Sequence, residues 1–237
     1  MKCAKLPDNC VVIDVETTGL EPTEGGILEI GAVDAAGRMF YRRVALGRER
    51  RVDWPALQRN GVDALDLGAG VSVGDAICAL FMWLSGGSKR WIMGGKNPQF
   101  DFAWLGANWP TGTVGCSLSE VISRRCIDLH SLAYGYGIEL GMDMASETFT
   151  TDDIYMQLGM YPEPMPHNAL RGAVHEMEGF RRLLVADVER DHDPVFEKKM
   201  DTLDREWAQT VDVPEVVDNR RGARVGPLAV TKGAGSK

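Results

Sequence analysis

The run Cys10-Val11-Val12-Ile13-Asp14-Val15-Glu16-Thr17-Thr18-Gly19-Leu20 constrains this chain more than any other stretch. Four apolar residues lead into an aspartate, and a glutamate follows two positions on, before a polar turn that holds a glycine. Side chains on a strand repeat their direction every two residues, so Asp14 and Glu16 project from one face near the strand's end. Two adjacent carboxylates raise each other's pKa unless a cation sits between them. Hard divalent ions take oxygen ligands, so the pair is a natural half-site for one. The plainer alternative is a solvated acid pair at the mouth of a strand. The choice rests on whether other groups converge there.

The chain has 237 residues, enough for one sizeable core. Hydrophobic residues make up 44% and charged residues 25%, the balance of an ordinary globular protein. No apolar run is long enough to span a bilayer, and the N-terminus shows no apolar signal region. Five cysteines without a CxxC pair predict free thiols in a reducing, cytoplasmic setting. A net charge of −8 argues against a broad basic surface for duplex nucleic acid. It leaves room for an enzyme that draws a single-stranded end into a metal-lined cleft.

The first strand is expected over 9–16, a loop over 17–26, and a hairpin from 27–35 and 38–44 across Ala36-Gly37. An irregular excursion follows over 46–71, with a helical turn near 53–59. Ser72 reads as the N-cap of a helix over 72–84, with Asp75 at N3. Short strands are expected at 90–94 and 124–129. Helices are expected at 99–108, from 129 to about 134, from Thr151 (as N-cap) to 158, at 168–188 and at 194–209. The pattern predicts one α/β domain over 1–210 with a mixed sheet, and a disordered basic tail over 211–237.

Three places could meet the acidic pair. Asp101, in Asn97-Pro98-Gln99-Phe100-Asp101, stands at a helix start, where a carboxylate is also comfortable for electrostatic reasons alone. His167 follows the stiff segment Pro162–Pro166 at the head of a long helix, and histidine is the side chain best tuned to move protons near neutrality. A plain helix cap is the alternative. Asp128, ending its strand, reads as a cap for the next helix.

Taken in order, D-x-E-T-T-G, N-P-Q-F-D and H-N-A-L at the start of a late helix resemble the DEDDh branch of the DnaQ-like 3′–5′ exonucleases. The resemblance runs from about Val11 to Leu184. It implies an RNase H-like fold, with a mixed five-stranded sheet flanked by helices. It also implies a two-metal mechanism using Mg²⁺ or Mn²⁺, with ions about 4 Å apart clamping the scissile phosphate. In that scheme Asp14 bridges both cations, Glu16 holds the one that activates water, and Asp101 serves the second. His167 is the general base. Thr17, Thr18 and Leu20 line the pocket for the terminal nucleotide, with backbone near Glu16 and Thr17 at its 3′-hydroxyl. Phe100 and Trp104 are candidates for base stacking, or else core residues. The implied partner is a single-stranded nucleic acid 3′ end, with no membrane. Dimers are common among the RNA-trimming members, so a homodimer is a further expectation.

The match breaks at the last motif, H-x-A-x-x-D. Five residues after His167 stands Gly172, although Ala169, Leu170 and Ala173 fit the pattern. Glycine offers no ligand and costs about 1 kcal/mol relative to alanine inside a helix. Three explanations stand. The glycine is an engineered or selected substitution that silences an active enzyme; or the protein is a weakened relative that binds without cutting; or another acid, with Glu176 one turn onward as first suspect, replaces the aspartate. The rival functions are a non-catalytic module that binds nucleic-acid 3′ ends, and a hydrolase of short or cyclic oligonucleotides.

Overall fold

Alternation along the first strand sets the architecture. The computed structural model describes residues 5–47, 49–86, 89–139 and 150–184, together with Thr202. Strand β1 (Cys10–Thr17) lies at the centre of a five-stranded sheet. It pairs antiparallel with β2 (Ile27–Asp34), which pairs antiparallel with β3 (Met39–Arg43). On its other side β1 runs parallel to β4 (Trp91–Gly95), and β4 runs parallel to β5 (Ile122–Asp128). The order is therefore β3-β2-β1-β4-β5, the mixed sheet that the sequence predicts.

The hairpin forms where Ala36-Gly37 places it. Gly37 takes φ of 85°, a conformation open to glycine, and Asp34 accepts hydrogen bonds from the Ala36 and Arg38 N–H groups at 3.0 and 2.8 Å. The helices lie between β3 and β4, between β4 and β5, and after β5. These are α1 (Trp54–Asn60), α2 (Val73–Leu84), α3 (Pro98–Asn108), the short α4 (Thr111–Val114) and α5 (Leu118–Val121), α6 (Leu129–Glu139), α7 (Thr151–Gln157) and α8 (Ala169–Leu184). Ser72 caps α2 as expected, accepting from the Asp75 N–H at 3.1 Å. The cap of α7 is Thr150, one residue before the expected Thr151, because Thr150 can close a reciprocal box with Asp153. Helix α6 runs five residues beyond its expected end. The helix expected over 194–209 and the basic tail lie outside the described residues, apart from Thr202.

Odd-numbered β1 residues Val11, Ile13 and Val15 join one apolar core with Ile77, Leu80, Trp104 and Leu105 from α2 and α3. Each large side chain so buried contributes about 1.5–3 kcal/mol. The even-numbered face meets α8: a β-carbon on Gly94 would touch both Cys10 and Phe180, and one on Gly172 would strike Asp14. Helix α8 lies close because Gly31, the register partner of Asp14, has no side chain; a β-carbon there would run into the Ala169 backbone.

Candidate active site

Glu29 on β2 fixes the head of α8. It accepts from the Asn168 side-chain amide at 2.9 Å and from the Ala169 N–H at 3.1 Å, so a carboxylate serves an otherwise unpaired helix N-terminus. His167 is held just ahead of it, its N–H donating to the Arg59 carbonyl at 3.0 Å. Helix α3 is tied to β1 in turn. The β1–β4 ladder runs from Cys10 to Val12, and further along the Val15 N–H donates to Asp101 Oδ1 at 3.0 Å. These ties set Asp14, Glu16 and Asp101 into one electrostatic neighbourhood with His167 at its edge.

Two acids outside the sequence-derived set join them. Glu163, from the proline-rich lead-in to α8, places one carboxylate oxygen 3.5 Å from His167 Nδ1; its other oxygen is buried without a hydrogen-bond partner among the described residues. Glu176, one turn past Gly172, sets its carboxylate against the end of β4, 2.9 Å from where a β-carbon on Gly95 would stand. Nothing in the spacing of Pro162-Glu163-Pro164 marks Glu163 in advance. Only the tertiary fold brings it in.

Burial is the first cause of every shift in this cluster. It drives Asp14 well above the carboxylate range, reinforced by the charges of Glu16, Asp101, Glu176 and Glu163. Glu16 is pushed to about 8 by burial and by Glu163, Glu29 and Asp101, with Arg59 opposing. Asp101 rises to about 7 against the pull of the Val15 N–H, and Glu163 also rises to about 7 through burial. Glu176 is raised well above its usual value, by burial and then Asp101. His167 is lowered by burial and then by Arg59, which keeps the ring neutral near pH 7 and able to accept a proton.

The donor chemistry fits divalent cations. Five carboxylates share the site, and the cationic side chains acting on them are Arg59, Lys96 and Arg171. Excess buried carboxylate is relieved by a proton or by a hard cation. In this arrangement, and among the described residues, no three His, Cys, Asp or Glu groups stand close enough to hold an ion.

Several expected pocket residues are placed elsewhere. Thr18 is fully buried; its hydroxyl donates to the Arg51 carbonyl at 2.6 Å and accepts from the Gly26 N–H at 2.9 Å, so it pins the loop after β1. Trp104 is 0% exposed and belongs to the core, offering no face to a base. Phe100 is half-buried against that core, its ring centroid 6.1 Å from that of Trp104. The Thr17 hydroxyl donates to the Gly19 carbonyl, and its own carbonyl is taken by Asn60. Leu20 stands open at 76% exposure, free to meet a ligand. Asp128 caps α6 as read, accepting from the Ser131 N–H at 3.0 Å.

No known family's sequence model matches the chain, and no curated protein matches it. Solved structures do. The nuclease domain of 3′hExo, a DEDDh family member bound to rAMP, aligns with a TM-score of 0.58 at 13% identity, over 76% of this chain and 94% of that one. E. coli Exonuclease I in complex with a 5cy-dT13 oligonucleotide aligns with a TM-score of 0.60 at 13% identity, over 87% of this chain and 46% of that one. Cell-death related nuclease 4 (CRN-4) aligns with a TM-score of 0.58 at 13% identity, over 74% of this chain. The aligned part spans 63% of CRN-4, so this chain matches only a portion of that protein's length. Sheet order and alignments agree: the chain has the RNase H-like fold of the DEDDh 3′–5′ exonucleases.

Proposed function

We propose that this protein is a 3′–5′ exonuclease acting on single-stranded RNA or DNA ends in a reducing, cytoplasmic setting. It releases nucleoside monophosphates with the help of two Mg²⁺ or Mn²⁺ ions. The observation that carries this reading is the meeting of Asp14, Glu16 and Asp101, joined to His167 through Glu163, on the fold of such exonucleases.

Asp14, Glu16 and Asp101 would hold the cations. When bound, such ions polarise the phosphate and ease deprotonation of water. The remaining work falls to the chain's own groups. His167, neutral near pH 7, takes the proton of the attacking water at a ring nitrogen. Glu163 orients that ring through its contact with Nδ1 and stabilises the charged form once the proton arrives. Arg59 and Lys96, whose charges reach the cluster, supply countercharge for the phosphate. Leu20 offers an exposed apolar surface to the terminal base or sugar. Gly172 contributes no ligand, which limits turnover to what a substitute acid supports.

The test is a gel assay with 5′-labelled single-stranded RNA and DNA in Mn²⁺. Laddering from the 3′ end that is lost in Asp14→Asn supports the reading. Retention of 3′ ends without any cleavage would replace it with a binding module, which the glycine at 172 favours.

A further inference from the structure

The ligand missing at Gly172 leaves a space, and two side chains occupy it. Built onto Gly172, a β-carbon would run into Asp14 Oδ2, and its next neighbour beyond Asp14 is Glu163 Oε1 at 3.4 Å. An aspartate at 172 would extend its own carboxylate from that β-carbon into the same region. Glu163 therefore places a carboxylate oxygen in van der Waals contact with the point from which the family's last aspartate would extend. That oxygen is buried and has no hydrogen-bond partner among the described residues, an expensive arrangement unless something binds it. The other oxygen faces His167 at 3.5 Å, so one side chain touches both the vacated ligand position and the proposed base.

Glu176 is the competitor that helical spacing favours. Its carboxylate lies against Gly95 and is held by the Lys96 N–H, and its charge bears on Asp101 and also, ahead of that of Glu163, on Asp14. Glu163 acts chiefly on Glu16, where its charge is the first to bear after burial.

We infer that Glu163 replaces the absent aspartate, reaching from the loop before α8 to complete the Asp14–Glu16 half of the metal site. The inference rests on the exonuclease reading for the identity of the ion. It exchanges a ligand fixed on α8 for one delivered by a loop, without changing the chemistry of the donor. Gly172 is then the residue that makes room, since a β-carbon there would run into Asp14 while Glu163 stands at contact distance.

The experiment uses the full chain and reads Mn²⁺ binding by calorimetry, alongside cleavage of labelled single strands. The variants are Glu163→Gln, Glu176→Gln and the double change Glu163→Ala with Gly172→Asp. Outer-shell partners of a metal site already cost about 10–100-fold in affinity, so Glu163→Gln is expected to weaken Mn²⁺ binding by at least about tenfold. Glu176→Gln should weaken it less. The double variant should recover most of the lost affinity, because removing the side chain at 163 gives Asp14 room to shift while the new carboxylate at 172 supplies the missing ligand. Melting curves and circular dichroism confirm that each variant is folded.

Parent-like Mn²⁺ affinity in folded Glu163→Gln would overturn the inference, and if the parent still cleaves, the exonuclease reading survives. Lost affinity with recovery in the double variant supports the inference even if no tested strand is cut. A parent that binds no Mn²⁺ would overturn both.

Discussion

Asp14 Oδ2 occupies the space that a β-carbon on Gly172 would need. The glycine is thus part of how Asp14 is seated, and its absent side chain matters as much sterically as chemically. Gly172→Ala is expected to separate these effects. Alanine gains about 1 kcal/mol in helix propensity, while displacing Asp14 costs a comparable amount. Net stability should move by less than about 1 kcal/mol. Mn²⁺-dependent turnover should nevertheless fall by about tenfold or more, although no ligand was removed. Thermal melts and a turnover assay on the same preparation read both.

Metal-free protein should be most stable at mildly acidic pH. Glu16, Asp101 and Glu163 have folded pKa values of about 8, 7 and 7, above their ordinary values. Between the ordinary and the raised values the folded state holds more protons than the unfolded one, so stability falls as pH rises. Denaturant unfolding in chelator should show a decline from about pH 5 to pH 8, following those shifts. Mn²⁺ should reverse it at pH 8, because the cation replaces the lost protons.

His167→Ala should lower turnover by about 10²–10⁴-fold while leaving single-strand binding largely in place. Since burial and Arg59 hold the His167 pKa below its ordinary value, the acid limb of the parent's pH–rate profile should lie below that of a free imidazole. Loss of that limb in the variant checks the assignment.

Gly31→Ala should be among the most damaging single changes. The obstacle is the Ala169 backbone, which cannot rotate away as a side-chain tip can. Overpacking of this kind costs about 1–3 kcal/mol, and here it also lifts α8 from Asp14. Falling melting temperature together with weakened Mn²⁺ binding would confirm both effects.

The fold was legible because its signals are local. The alternation of Val11, Ile13 and Val15 against Asp14 and Glu16, the Ala36-Gly37 hairpin and the Ser72 cap each act within a few residues. The placement of Asp14, Asp101 and His167 near element ends was readable because local signals set those ends. For Trp104 the core alternative holds, and the Thr18 hydroxyl is taken up by the loop after β1, because polarity and aromaticity do not say which way a side chain turns. Glu163 was invisible for the opposite reason. It lies in a loop with no periodicity, and its relation to Gly172 exists only once α8 is seated.

The clamp of Glu29 on Asn168 and Ala169 joins positions about 140 apart in the chain. Synthesis runs from the N-terminus, so Asp14, Glu16 and Asp101 leave the ribosome well before Glu163 and His167. Until α8 docks on Gly31, the early acids have neither the base nor the last carboxylate beside them. On the proposed exonuclease reading an unfinished chain is a harmless one: the site is armed only by the docking of α8, after the sheet that carries the early acids has been made.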